Sequence, residues 1–209
     1  QKADDGDSPS QYSLYFLLGK SYLFINDAKT AQKYAEKALD ICEKHKDMKK
    51  AWAADFYQIL ADTYWQVDEF QKGIDLIQKK KKPIVANLYG SRSPNLAEVY
   101  HSLGLYYSDW DKYMDAEENF NKAIRIYKAL NTKGEHLSMI YRNQAISFNR
   151  QNLYQEALEA NKEAFLANCP SCPNLSDEMY FSQIKTLITE EATLNPIVRL
   201  QILQDQIQI

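Results

Sequence analysis

Cys169-Pro170-Ser171-Cys172 is the one C-x-x-C in this chain. Two thiolates at that spacing supply half of a zinc site, which needs four ligands, and neither a second C-x-x-C nor an H-x3-H stands elsewhere. A thioredoxin-type redox pair would open a helix after a strand, whereas Pro170 and Pro173 bracket a loop. A plain loop and a local disulfide in an oxidising compartment remain open. Cys42 shares a helical face with Ala31, Ala35, Ala38 and Leu39, the place of a core thiol. Glu98, His101 and Ser102 offer a carboxylate, an imidazole and a hydroxyl, the ingredients of a nucleophilic triad. Consecutive helical residues point in different directions, so Ser102 does not meet His101 as nucleophile meets base, and His101 reads as a groove or surface residue. His45 and His136 fall at helix ends. Lys79 to Lys82 is a basic run suited to the solvated, negative end of a helix dipole. No phosphate loop, G-x-S-x-G or H-E-x-x-H occurs. These residues point to no enzyme, no metal and no cofactor.

The composition agrees with that reading. The 209 residues are 45% apolar and 25% charged, with only six glycines and six prolines, which excludes disorder and a turn-rich β sandwich. No apolar run approaches the length of a bilayer span. A net charge of −3 has the wrong sign for nucleic acid. Gln1 to Ser8 reads as a frayed polar tail. A start at Gln1 fits a cut or mature chain, such as an exported bacterial protein, and a cytoplasmic location stays open.

What must position any site is a repeat. Tyr15–Tyr22, Tyr57–Tyr64, Tyr100–Tyr107 and Tyr141–Phe148 align, each opening with Tyr, carrying a small residue four on and ending in an aromatic. The small residues, Gly19, Ala61, Gly104 and Ala145, are separated by 42, 43 and 41 positions. Twelve residues after each stands another, Ala31, Gly73, Ala116 or Ala157. With apolar residues at three and four spacings, this is a helical hairpin written four times. The paired small residues let the two backbones approach closely, Gly19 facing Ala31 and Gly104 facing Ala116. The spacing predicts helices near 9–25, 28–46, 49–67, 69–80, 94–108, 112–130, 135–150 and 153–167, with two more over 177–192 and 196–208. Lys81–Ser93, with Pro83 and Gly90, reads as a linker, as does 168–175. Ser8-Pro9, Ser93-Pro94 and Asn195-Pro196 are helix starts, and Ser176-Asp177-Glu178 is a further cap.

Aromatic, Leu-Gly/Ala, aromatic, Ala, Ala at these offsets resembles the tetratricopeptide repeat, over roughly Gln11 to Ala167. The usual period is about 34 residues; the longer step here is similar to the repeats of kinesin light chains and bacterial peptide receptors. The resemblance implies an all-α fold, a right-handed α-α superhelix of four helical hairpins plus terminal capping helices. The expected organisation is a tail over 1–8, four repeats over 9–167, and a linker with capping helices over 168–209.

The resemblance further implies a concave face lined by the first helix of each hairpin. The inward positions are Phe16, Leu17, Lys20, Leu23 and Phe24, then Gln58, Ile59, Asp62, Trp65 and Gln66. The third repeat contributes His101, Ser102, Leu105, Ser108 and Asp109, the fourth Arg142, Asn143, Ile146, Asn149 and Arg150. Of these, Gln58, Asp62, Trp65, His101, Ser102, Leu105, Arg142, Asn143, Asn149 and Arg150 are the expected peptide-groove residues. The amides can bond an extended main chain, and Arg142 with Arg150 can fork onto a carboxylate. The clamp with which co-chaperone repeats hold chaperone tails is absent: its positions read Phe16, Lys20, Ile59, Glu98 and Ser102. Two functions stay open: a scaffold that binds a protein or peptide segment, and a ligand-sensing input domain of a larger bacterial signalling protein. After Asn195-Pro196, the stepping of Leu200, Leu203 and Ile207 suits either a cap on the fourth repeat or self-association through a helical seam.

Overall fold

The computed structural model describes residues 9–44 and 50–168. The expected tail, His45, Cys169-Cys172 and the helices over 177–208 lie outside them. The described chain is helical throughout, in four sequential hairpins. The first pairs α1 (Pro9–Phe24) with α2 (Ala28–Lys44), and the second begins with α3 (Lys50–Gln66). α6 (Pro94–Asp109) pairs with α7 (Tyr113–Ala129), and α8 (Glu135–Arg150) with α9 (Tyr154–Asn168).

Each hairpin turns in the same way. Asn26, Asp68, Asp111 and Asn152 all take a left-handed conformation, with φ of 60°, 59°, 57° and 61°. In the third hairpin Asp111 N–H donates to Ser108 O at 3.2 Å and Lys112 N–H to Tyr107 O at 2.8 Å, and the same pair of bonds recurs in the other three. This pair of hydrogen bonds closes a helix whose chain then reverses. Asn and Asp tolerate the conformation better than other residues with a Cβ. Ser93 caps α6 as expected, its Oγ accepting from Leu96 N–H at 3.3 Å.

The expected linker over Lys81–Ser93 is a correction. α4 (Phe70–Leu76) runs through a π-helical segment, Ile77–Lys81, directly into α5 (Lys82–Tyr89), and the chain leaves the helix only at Gly90, with φ 84°. Pro83 has no N–H and its ring would strike the carbonyl four residues back in an α-helix. The wider π turn just before it relieves that conflict. The lysine run is therefore inside a helix and not at its end. Lys79 is exposed and pairs with Asp75 at 2.8 Å, Lys82 lies over the Tyr100 ring, and Lys81 turns inward.

Ala31, Ala61, Ala116 and Ala157 are buried, and a side chain on Gly73 would touch the Ala61 carbonyl at 3.0 Å, which is the close helix approach the repeat demands. At Gly104 the neighbour differs from expectation. A Cβ there would sit 2.6 Å from the fully buried Phe120 ring, one turn beyond Ala116. Gly19 likewise makes room for Ile59 of the next hairpin, at 3.3 Å, before it meets Ala31. The small residues thus serve packing between repeats as well as within them. Cys42 packs beside Ala38, Phe56 and Ile59, as a core thiol does.

Candidate functional site

α3, α6 and α8 carry the expected groove residues, and the structure joins many of them to each other across repeats. Gln58 Nε2 donates to Asp62 Oδ1 at 2.8 Å and to Tyr106 Oη at 2.9 Å. Tyr106 O–H in turn donates to Asp62, and Lys81 Nζ donates to Gln58 Oε1 at 2.6 Å. Burial pushes the Asp62 carboxyl up, against the bonds from Tyr106 and Gln58 that hold it down. Burial also lowers the Lys81 ammonium, against the pull of Asp55, Asp62 and Glu98. The π segment explains why a lysine of the outer helix reaches this place: it turns residue 81 toward α3.

A second network centres on Asp109. Its carboxylate accepts from Trp65 Nε1 at 2.9 Å and from Arg150, whose guanidinium also donates to Ser108 O at 3.3 Å. One carboxylate thus ties repeats two, three and four together. Arg150, expected to fork onto a foreign carboxylate beside Arg142, directs Nη1 to this internal carboxylate while its side chain stays partly exposed.

A third link is His101 with Asn143, Nε2 to Nδ2 at 2.8 Å. His101 is buried against the Phe120 ring, and burial first, with His136 adding to it, lowers its imidazole to about 4. The ring is neutral at pH 7 and accepts from the amide at Nε2. Ser102 Oγ donates to Glu98 O, the carbonyl one turn back, at 3.0 Å. Histidine, serine and glutamate therefore form no relay. Leu105 is half-buried against the core.

Arg142 and Asn149 are the groove residues whose side chains form no hydrogen bond or ion pair among the described residues, Arg142 exposed and Asn149 half-buried. Trp65 is 38% exposed, its ring tilted against that of Tyr106 with the centroids 6.3 Å apart. Among the described residues no cluster of His, Cys, Asp and Glu could hold a metal, and no helix is long and apolar enough to cross a membrane.

Most side-chain bonds between the inner helices follow one register, with Arg150 to Asp109, +5 to +5, outside it. Counted from the small residue, the preceding repeat offers positions −3, +1 and +4 (Gln58, Asp62, Trp65; His101, Ser108). The following repeat meets them from −2, +2 and +5 (Tyr106, Asp109; Asn143, Arg150). Gln66, at +5, follows suit by donating to Leu23 O at 2.7 Å. Tyr106 and Lys81 were absent from the groove residues expected above. The repeat alignment holds the signal for Tyr106, since it shares a register with Thr63 and Ser147. Lys81 has none, because a π turn leaves no mark in the periodicity.

Two tetratricopeptide repeat models match the sequence, over residues 12–45 and 52–129. No protein of curated function matches it. Among solved structures the chain is similar to BtubC (BKLC) from P. vanneervenii, at 20% identity over 79% of this chain and 66% of that one, TM-score 0.66. It is similar to the apo form of RapI, at 15% identity over 97% and 69%, TM-score 0.67. It is also similar to a putative kinesin light chain of Podosopora anserina with nearly identical TPR-like repeats, at 17% over 94% and 93%, TM-score 0.67. At these identities the likeness is one of fold, and the chain spans about two thirds of the first two proteins.

Proposed function

Because this chain belongs to the tetratricopeptide repeat family, whose domains are typically protein-binding modules, we propose that the face of α3, α6 and α8 holds an extended segment of a partner protein without catalysing a reaction on it. What supports this reading is how hydrogen-bonding capacity is spent along that face. Asp62, Asp109, His101 and Arg150 are occupied with one another's repeats. Arg142 keeps its full fork of donors, which matches a carboxylate. Asn149 lies two turns along the same helix stripe, where its amide can bond a peptide main chain. Trp65 presents an aromatic face to an apolar side chain. The single observation that carries the reading is the exposed guanidinium of Arg142, which pairs with no group among the described residues. The segment it selects is acidic or ends in a free carboxylate.

The test is selection of binders from a library of extended peptides with free and amidated C-termini. Binders should be rich in Asp and Glu or depend on the free carboxylate. Arg142→Ala should weaken their affinity by more than about tenfold, the usual cost of stranding a charge-assisted bond, while helical content is retained. Arg142→Ala combined with Arg150→Ala should weaken it at least as much. Equal binding by variant and parent would move the interaction off this face.

A further inference from the structure

The fourth hairpin docks on the third through buried Leu137, Ile140 and Tyr141, which share one core with Phe120 and Tyr127 of α7. Polar ties cross the same junction. Gln144 Nε2 donates to Asn121 Oδ1 at 3.1 Å, Arg150 holds Asp109, and Asn143 Nδ2 donates to His101 Nε2 at 2.8 Å. Amides and a guanidinium keep their protons through mild acid. Of the groups in these ties, the imidazole is the one whose ordinary pKa lies in the mildly acidic range. Its place in the junction demands the neutral ring. His101 is 8% exposed and packs on the Phe120 ring, and its Nε2 must stay unprotonated to accept from Asn143.

We infer that His101 and Asn143 form an acid-sensitive clasp, and that mild acid undocks the fourth hairpin from the third. Protonation turns Nε2 from acceptor into donor, so that two N–H groups face each other across the 2.8 Å contact. Turning the Asn143 amide over would restore the bond, but it would leave an imidazolium desolvated against Phe120. The groups packed around the ring offer it no counter-ion. From α8, His136 presses on it with charge of the same sign. From α7 come the Phe120 ring and Tyr127, the latter stacked on His136 with centroids 6.4 Å apart. On α6 itself, Glu98 one turn back acts on Tyr127 and Lys81, and Ser102 is turned to the Glu98 carbonyl. Undocked, the imidazole meets water and takes its proton near 6.5; docked, burial first and His136 second hold it to about 4. Acid therefore favours the undocked form, by a factor of about twenty between pH 7 and pH 5. The junction of repeats two and three responds with the opposite sign. There burial pushes the Asp62 carboxyl up, so acid neutralises a charge that the docked form must desolvate. The clasp works with or without a ligand on the inner face.

Native-state hydrogen exchange of the whole chain at pH 7 and pH 5, with rates corrected for intrinsic chemical exchange, tests this. A hairpin parted from its neighbour buries too little to keep its helices, so amide protection in α8 and α9 reports docking. Protection there should fall about twentyfold from pH 7 to pH 5. In α2, whose own opening leaves His101 buried, it should change by less than about threefold. His101→Gln keeps an amide acceptor opposite Asn143 and takes up no proton, and it should remove the fall. Asn143→Asp supplies the missing counter-ion, and it should flatten the fall or reverse it. Equal protection of α8 and α9 at the two pH values in the parent overturns the proposal, as does a fall that persists in His101→Gln. A fall shared equally by α2 would place the response in global unfolding and overturns the local clasp. A parent-like fall in Asn143→Asp overturns the pairing with residue 143.

Discussion

His101 shows at the residue scale how a polar group is spent on architecture. A sequence scan finds it beside a carboxylate and a hydroxyl, yet the fold buries it against Phe120 and bonds it to Asn143 of the next repeat. Its imidazole, lowered from 6.5 to about 4, makes a prediction. Between those values the unfolded chain binds a proton that the folded chain refuses, so stability rises with pH across that window and is fully present above pH 6.5. Integrated over the shift, the contribution lost on acidification is about 3 kcal/mol. Urea unfolding at several pH values should show this slope in the parent. In His101→Gln, whose amide can face Asn143 and does not titrate, the slope should shrink by that amount. A His101 imidazole resonance titrating near 6.5 in the folded protein would contradict the burial argument. The residue could be singled out in the sequence, but its state could not, because burial depends on Phe120 and α8, distant in the chain.

The hairpin turn is the clearest case at the element scale. Asn26, Asp68, Asp111 and Asn152 share a left-handed backbone and one pair of capping bonds. Asp68 is exposed, so its replacement tests the backbone conformation with little change in packing. Asp68→Gly should leave stability equal or raised, because glycine adopts this φ without steric cost. Asp68→Val should cost about 1–2 kcal/mol, the penalty of a β-branched residue there. Thermal melts of the two variants check it, and equal melting temperatures would mean the turn is not held left-handed. Helix positions were legible because each hairpin repeats the same apolar spacing. The continuation of the second outer helix to Tyr89 was not, since Pro83 and Gly90 are ordinarily breakers. Only the π turn, which widens the helix ahead of the proline, lets it continue.

At the scale of the whole molecule, the array is held by contacts between neighbouring repeats, so stability should grade along it. Repeat three is flanked on both sides, and its Asp109 bonds both Trp65 and Arg150. Among the described residues α1 has a neighbouring repeat on one side only. Hydrogen exchange should therefore be slowest in α6 and α7 and faster in α1, with local opening at the end preceding global unfolding. Uniform protection from α1 to α9 would instead show a single cooperative unit.

Taken alone, the sequence determined the repeat, the helical class, the tyrosine and glycine registers and the absence of familiar catalytic motifs, because each is a matter of spacing along one chain. It also placed Gln58, Asp62, Trp65, His101, Asn143 and Arg150 on the inner helices. Only the tertiary structure decided what those side chains do. Whether Arg150 meets a ligand or Asp109, and whether Lys81 meets water or Gln58, depends on groups about forty or about twenty positions away. Local periodicity carries a residue's face, and its partners follow only when the neighbouring repeat arrives to desolvate it.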